Sequence, residues 1–327
     1  MTGLRPDVDR SKTKRPFLTV VMPLHDGAEW IGTTLGALAR EPIEDVEVIA
    51  IDSSPTATTL EIVERFTDRL SLRVIQRRDL VPWPTKTNLA VELASADYVC
   101  MLHQDDLWLT GRIDAIRHWI KNAPAAVLHL APALFVDRNG KPMGRWRCPL
   151  PSERELDRDL LLERLLVQNF VSVPAPVIRR QAWLDCGGLD DSLWYTADWD
   201  IWLKLASAGP TVYHEDITVG FRVHSGSLTV TGSRSKDDFQ SQMVAVLERH
   251  LDDLPALRGG AIEQRARASI EINVAMAAAS SGDGASAVDA LTCLLRLGPH
   301  GLPPYLRDSR LYERLGARVR ARLRGVF

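Results

Sequence analysis

The chain has 327 residues, 45% hydrophobic and 25% charged, a balance that suits a globular protein with a sizeable core. A formal net charge of −2 excludes a general nucleic-acid binder, so no nucleic acid is expected among its partners. Four scattered cysteines (Cys100, Cys148, Cys186 and Cys293) form no CxxC pair, which excludes a zinc ribbon and a disulfide framework. The first residues are polar and lack the apolar stretch of a signal peptide. No segment has the roughly 18 continuous apolar residues of a spanning helix. A cytoplasmic location is expected.

Residues 1–15 read as a disordered, mildly basic tail. Phe17 to Met22 is a β-branched run that stops at Pro23, and a helix follows from Trp30 to Arg40. Val46 to Ile51 reads as a second strand ending in Asp52, Thr56 to Leu70 as helix, and Ser71 to Gln76 as a third strand. Thr85 to Ala94 is helical and Tyr98 to Leu102 is a fourth strand. This alternation predicts an α/β fold with a mostly parallel sheet, whose ligands bind beyond the C-terminal strand ends. Next come a helix from Arg112 to Asn122, a strand from Ala126 to Val136, and a Pro/Gly/Arg-rich loop or lid from Asp137 to Ser152. A helix from Leu156 to Gln168, a strand from Val171 to Ile178, a helix from Trp199 to Ser207 and a strand from Thr218 to Val223 complete the mixed region. From Lys236 the pattern is wholly helical, with segments near 237–253, 260–280, 284–297 and 305–324 separated by loops at Gly259-Gly260 and Gly298-Pro299. The division is therefore a tail over 1–15, an α/β domain over 16–232 and a helical region over 233–327.

The stretch CMLHQDD, ending at Asp106, is an apolar strand that delivers acids to a sheet edge. Adjacent carboxylates repel unless a cation or a proton intervenes, and their oxygens suit hard divalent ions. A helix N-cap explains the same two acids equally well, for a helix running from about Leu109. Three other segments carry polar groups at element ends: LTVVMPLHDG from Leu18, VEVIAIDSS from Val46, and GGLDDSLWYTADWDIWLKLASAG from Gly187, followed by GFRVHSGSLT.

In this order, the segments resemble the family 2 glycosyltransferases of the GT-A fold, over Phe17 to Thr229. That family shows strands ending in Pro-x-Tyr-Asn, Val-Asp-Asp-Gly-Ser and Asp-x-Asp-Asp. Gly-Gly-Phe-Asp, Glu-Asp-x-Asp-Leu-Trp and Tyr-Arg-x-His-x-x-Ser come later. The resemblance implies an inverting transfer from a nucleotide-diphospho-sugar to a glycan, lipid-linked or other hydroxyl acceptor, in polysaccharide biosynthesis. It implies a divalent cation, Mn2+ or Mg2+, as cofactor.

Carried over residue by residue, the resemblance gives Asp198 the general base and Asp105 and His224 the metal. Pro23, His25, Asp52, Lys86 and Gln104 fall on the nucleotide side, and Asp190 and Trp194 on the donor and acceptor side. The chemistry agrees: a departing diphosphate needs its charge offset, and direct displacement needs a base for the acceptor hydroxyl. First-turn dipole acids explain Asp198 and Asp200 without any function, and a structural histidine does the same for His224.

Departures from the pattern are His103 for the first Asp of Asp-x-Asp, Ser53 for an Asp, Thr87 for an Arg and Ala197 for a Glu. Lys86 stands where it can replace the missing positive charge. His103 is read as hydrogen-bonding the nucleotide in preference to binding metal. The departures support a rival reading, a catalytically degenerate nucleotide- or glycan-binding scaffold. In the last helix Leu311, Leu315, Val319, Leu323 and Val326 form a stripe flanked by arginines. The stripe suits docking on the catalytic domain, a homodimer partner, or peripheral contact of 305–327 with an anionic membrane at the inner face.

Overall fold

The first strand, β1 (Leu18–Leu24), is buried along its whole length, as a parallel strand covered on both faces must be. The computed structural model describes residues 15–227, 235–254, 256–280, 284–323 and 325. Residues 1–14 of the expected tail, and the expected boundary at 232/233, lie outside them. Arg15 is held by Asp97 at 2.8 Å.

After β1 come α1 (Ile31–Leu38), β2 (Val46–Asp52), α2 (Thr58–Glu64), β3 (Ser71–Gln76), α3 (Trp83–Leu93) and β4 (Tyr98–Met101). Strand β1 pairs in parallel with β2 and β4, and β2 with β3, so these strands end at one edge. The strand runs through Pro23 instead of stopping there. Val21 and Pro23 face the β4 flank, and the pairing with β4 has ended at Val21–Met101, so the missing proline N–H breaks no bond.

The chain continues through β5 (Leu107–Trp108), α4 (Arg112–Asn122), β6 (Leu128–Leu130), β7 (Ala133–Val136), β8 (Pro142–Trp146), α5 (Arg158–Val167), β9 (Val177–Arg179), α6 (Arg180–Asp185), α7 (Ala197–Ala208), β10 (Thr211–Tyr213) and β11 (Val219–Arg222). The main sheet has seven strands in the order β10-β6-β9-β4-β1-β2-β3, with β9 antiparallel to its neighbours. A second sheet of four strands runs β5-β11-β7-β8. This is the expected α/β fold with a mostly parallel central sheet.

Several elements differ from their sequence expectation. The strand expected over 126–136 is two strands in different sheets, because Pro132 between them interrupts the ladder. Part of the expected 137–152 loop is β8, which forms a hairpin with β7. Asp137 Oδ1 accepts from the N–H groups of Asn139 and Lys141 in that turn, and Trp146 stacks on Phe135 at 4.9 Å. The strand expected over 171–178 shrinks to β9, since Pro174 and Pro176 cannot donate.

The C-terminal region is helical as expected: α8 (Lys236–His250), α9 (Ala256–Ser280), α10 (Gly284–Arg296), α11 (Gly298–Ser309) and α12 (Leu311–Leu323). Gly259-Gly260 is no loop but lies inside α9. The helix expected over 305–324 breaks at Arg310, which adopts φ 48°. One face of the main sheet packs Leu18, Val20 and Met22 against Ile31, Leu35 and Ile113. The other packs Val21, Ile49 and Met101 in one cluster with Val91, Leu162, Ile262 and Ile270, so α9 shares a core with the sheet. Each fully buried Leu or Ile there contributes about 1.5–3 kcal/mol.

Candidate active site

The ends of β1, β2 and β4 open into a cavity of about 1720 Å³. Pro23, His25, Lys86, Gln104, Asp105, Trp194, Asp198 and His224 line it, so most of the candidate residues meet there. Asp52 and Asp190 do not. Asp52 is fully buried beside the cavity; its Oδ1 accepts from the Ser54 amide at 3.0 Å and hydroxyl at 2.6 Å, and its Oδ2 has no protein partner. Asp190 is held away from the wall by Ser192 and by Arg249 at 2.8 Å.

Gln104 clasps the loop after β1. Its Oε1 accepts from the His25 amide at 2.8 Å and its Nε2 donates to the His25 carbonyl at 2.8 Å. Gly27 is required beside it, because a Cβ there would stand 2.4 Å from Gln104 Oε1. The Lys86 ammonium donates to the Leu24 carbonyl at 2.6 Å and to Ser53 Oγ at 2.8 Å. Burial pushes its pKa down to about 8, against the pull of Asp52.

The turn after β4 gathers His103, Asp105 and Asp106, with one ligand atom of each within 4.8 Å of the others. The His103 Nε2 and Asp106 Oδ2 atoms are buried without a hydrogen-bond partner. Burial lowers the pKa of His103, which favours the neutral imidazole that binds metals. Asp105 Oδ2 lies 2.9 Å from His224 Nε2. Burial opposes ionisation of Asp105, but the His224 hydrogen bond and the two imidazoles outweigh it and hold its carboxyl below the usual range. Burial and neighbouring Asp105 drive Asp106 the other way, well above that range.

Neither acid caps a helix. Helix α4 starts later, at Arg112, and the Glu41 carboxylate caps it by accepting from the Gly111 and Ile113 amides at 3.0 Å each. Asp106 Oδ1 instead accepts from the Arg222 amide at 3.0 Å. These donors and the two orphaned atoms fit a hard divalent cation with mixed oxygen and imidazole ligands.

Asp198, which lines the same cavity, lies in the first turn of α7. Asn169 Nδ2 donates to its Oδ2 at 2.9 Å. Surrounding protein raises its pKa to about 6, the burial outweighing the Asn169 hydrogen bond, while part of the side chain faces the cavity. Asp200, two residues on, is a structural acid, paired with Lys204 at 2.6 Å, Arg249 at 2.8 Å and His250 at 3.0 Å. Both acids do stand in the first turn of α7, where backbone N–H groups favour them; Asp200 is further neutralised by its cations, while Asp198 also lines the cavity.

Sequence reasoning gave no role to Arg222, Glu41, Tyr195 or Arg314. Arg222 Nε donates to the Asp105 carbonyl at 2.7 Å and its guanidinium covers the Trp30 ring at 4.8 Å, fixing the acidic turn against β11. Its signal was its place two residues before His224, at the end of β11. Tyr195 and Arg314 line the cavity as well, and only the packing of α12 brings Arg314 there.

The model of Glycosyl transferase family 2 matches residues 19–183. An uncharacterized glycosyltransferase of Rickettsia typhi is 19% identical over 249 residues, covering 73% of this chain and 74% of the relative. Among solved structures, TarS 1-349 of S. aureus is similar with a TM-score of 0.63 at 18% identity, over 93% of this chain and 89% of that one. The mannosyltransferase PcManGT from Pyrobaculum calidifontis, solved with GDP-Man and Mn2+, has a TM-score of 0.56 at 16% identity, over 96% and 90% of the two chains. At such identities the structural likeness shows a shared GT-A fold. With a family match over half its length, the chain belongs to the family 2 glycosyltransferases.

Proposed function

We propose that this enzyme transfers a sugar with inversion from a nucleotide-diphospho-sugar to a hydroxyl of a glycan or lipid-linked acceptor. The observation that carries the reading is that His103, Asp105, His224 and Asp198 line a single cavity. The solution of TarS with UDP-GlcNAc and of PcManGT with GDP-Man supports a nucleotide-sugar donor.

The chain's own residues divide the work. Pro23 and His25 border the nucleotide cleft, held by the Gln104 clasp. The unpartnered Asp52 Oδ2 is an acceptor for a base N–H. The Lys86 ammonium supplies positive charge beside the diphosphate. Asp105, with His103, Asp106 and His224, would hold Mn2+ or Mg2+, which when bound offsets charge developing on the leaving diphosphate. Asp198, oriented by Asn169, takes the proton of the acceptor hydroxyl as that oxygen attacks the anomeric carbon. One base and no protein nucleophile gives inversion. Trp194 borders the sugar, its indole donating to Asp238 at 3.0 Å.

The far helices add a peripheral membrane contact to the proposal. Leu315, Val319 and Leu323 on α12 and Leu291 and Leu295 on α10 are exposed, while α12 docks on β8 through Ala317 and Ala321. No helix among the described residues is long and apolar enough to cross a membrane. A thermal-shift screen of nucleotide sugars, with and without Mn2+, tests the donor reading. Metal-dependent stabilisation by one nucleotide sugar supports it, and indifference to all of them overturns it.

A further inference from the structure

Arg314 and Arg318 lie one turn apart on α12, and both line the cavity. Arg314 donates to Gln168 Oε1 at 2.8 Å and to Asn273 Oδ1. Gln168 Oε1 also accepts from Ser269 Oγ at 3.2 Å and Asn273 Nδ2 at 3.0 Å. A buried network of neutral groups therefore aims a cation into the cavity. Arg318 has no hydrogen bond or ion pair among the described residues. Among the described residues, the ionisable groups that act on Arg314 are Tyr305 and Tyr195, and those that act on Arg318 are Arg314 and Tyr195. Burial lowers both pKa values, that of Arg318 to about 10, so Arg318 stays cationic at neutral pH.

Two like charges in a walled cavity repel unless an anion joins them. Their position says which anion. Tyr195 feels Arg318, Asp198 and Arg314 together, so the pair and the candidate base share this neighbour in one cavity. A guanidinium pair matches a phosphate dianion in charge and in donor geometry, and Arg binds phosphate in a fork. The wall beyond the pair is apolar, formed by Ile270, Met276, Leu294 and Leu315.

We propose that Arg314 and Arg318 form an anion subsite for a phosphate group borne by the acceptor, placing the acceptor hydroxyl at Asp198. The inference rests on the transferase reading of Asp198. The phosphate can come from a soluble polyol phosphate or from a lipid headgroup, and both present the same chemistry to the arginines.

Inorganic phosphate is the first probe, titrated into the full chain without metal while melting is followed. Wild-type protein and Lys86→Gln should both be stabilised. Arg318→Gln should need at least about tenfold more phosphate for the same shift, and Arg318→Lys should recover part of it. Equal phosphate response in wild type and Arg318→Gln, or none in either, overturns the subsite. Glycerol 3-phosphate and a short-chain phosphatidic acid, each competed against inorganic phosphate, then separate the sources. Competition by one names it, competition by both establishes the shared chemistry, and competition by neither overturns the acceptor role. Sugar-nucleotide hydrolysis on the same samples keeps the two readings apart. Hydrolysis without a phosphate response removes the subsite alone. A phosphate response without sugar-nucleotide binding or hydrolysis removes the transferase reading and with it the acceptor role.

Discussion

His224 Nε2 stands 2.9 Å from Asp105 Oδ2, although 119 residues separate them. The contact joins the turn after β4 to the segment after β11, which belong to different sheets. Arg222, on the same strand end, reaches the Asp105 carbonyl as well. The acidic turn is therefore held from outside its own sheet, and its carboxylate orientation depends on β11.

Two substitutions test this hold. Asp105→Asn should abolish transfer and metal-dependent nucleotide binding together. His224→Ala should lower metal affinity or activity by about 10–100-fold, the usual effect of losing a group that orients a metal ligand. Titrating Mn2+ against activity in both variants measures the effect. A fully active Asp105→Asn enzyme would remove Asp105 from the reaction.

Asp198→Asn should inactivate the enzyme and also stabilise it. The unfolded carboxyl titrates near 3.8 and the folded one near 6. Between these values the folded protein holds the extra proton, so stability falls as pH rises through the window. Above pH 6 the ionised, enclosed carboxylate costs up to about 3 kcal/mol, by the usual 1.36 kcal/mol per pH unit. Asparagine removes that cost and keeps a partner for Asn169. Melting at pH 8 should therefore rise by several degrees, with little change at pH 4, while donor binding persists.

The same two perturbed groups set a pH profile. Asp198 must be ionised to accept a proton, so kcat/KM should rise with pH through about 6. Lys86 must be protonated to face the diphosphate, so kcat/KM should fall through about 8. Lys86→Gln should lower kcat/KM and remove the alkaline limb while leaving the acid limb. An unchanged alkaline limb in that variant assigns it to another group.

The strands that build the candidate site were readable because each is a short apolar run ending in polar residues, as at Asp52 and His103. Their order made Asp105, Asp198 and His224 findable through resemblance. What was hidden depends on contacts distant in sequence. Pro132 moves the chain from one sheet to the other, and β8 needs β7 beside it before its Met143 is buried and its Trp146 packs against that cluster. The stripe on α12 was visible, but its small face, Ala317 and Ala321, docks instead, since only small residues let the helix approach β8. The N-cap proposed for Asp105 or Asp106 failed because Glu41, far away in the chain, supplies it.

That cap makes a separable stability prediction. Glu41 Oε1 and Oε2 accept the two amides at the start of α4, a helix with no side-chain cap of its own. Glu41→Ala should destabilise the protein by about 1–2 kcal/mol, as loss of a buried charged cap does. Because Glu41 touches none of the candidate site residues, kcat/KM at 20 °C should stay within about twofold. Chemical denaturation of the two proteins gives the difference, and an unchanged midpoint would show that the cap is energetically idle.

Exposed apolar side chains on α12 make the last prediction. Leu323 is 82% exposed, Val319 56% and Leu315 42%, and Leu295 on α10 is 67% exposed. Arg320 and Arg322 in the last turn of α12 are exposed beside the stripe, the pattern of a helix that lies on an anionic bilayer. Removing three such side chains from a membrane contact forfeits several kcal/mol of transfer energy at about 25 cal/mol per Å². Leu315→Ser, Val319→Ser and Leu323→Ser combined should therefore release the protein from phosphatidylglycerol vesicles in co-sedimentation, with melting temperature little changed because the face is already solvated. Retention of the triple variant on vesicles would rule out this face. A wild-type protein that ignores vesicles but sediments as a dimer, with the variant monomeric, would instead assign the stripe to a second copy of the chain.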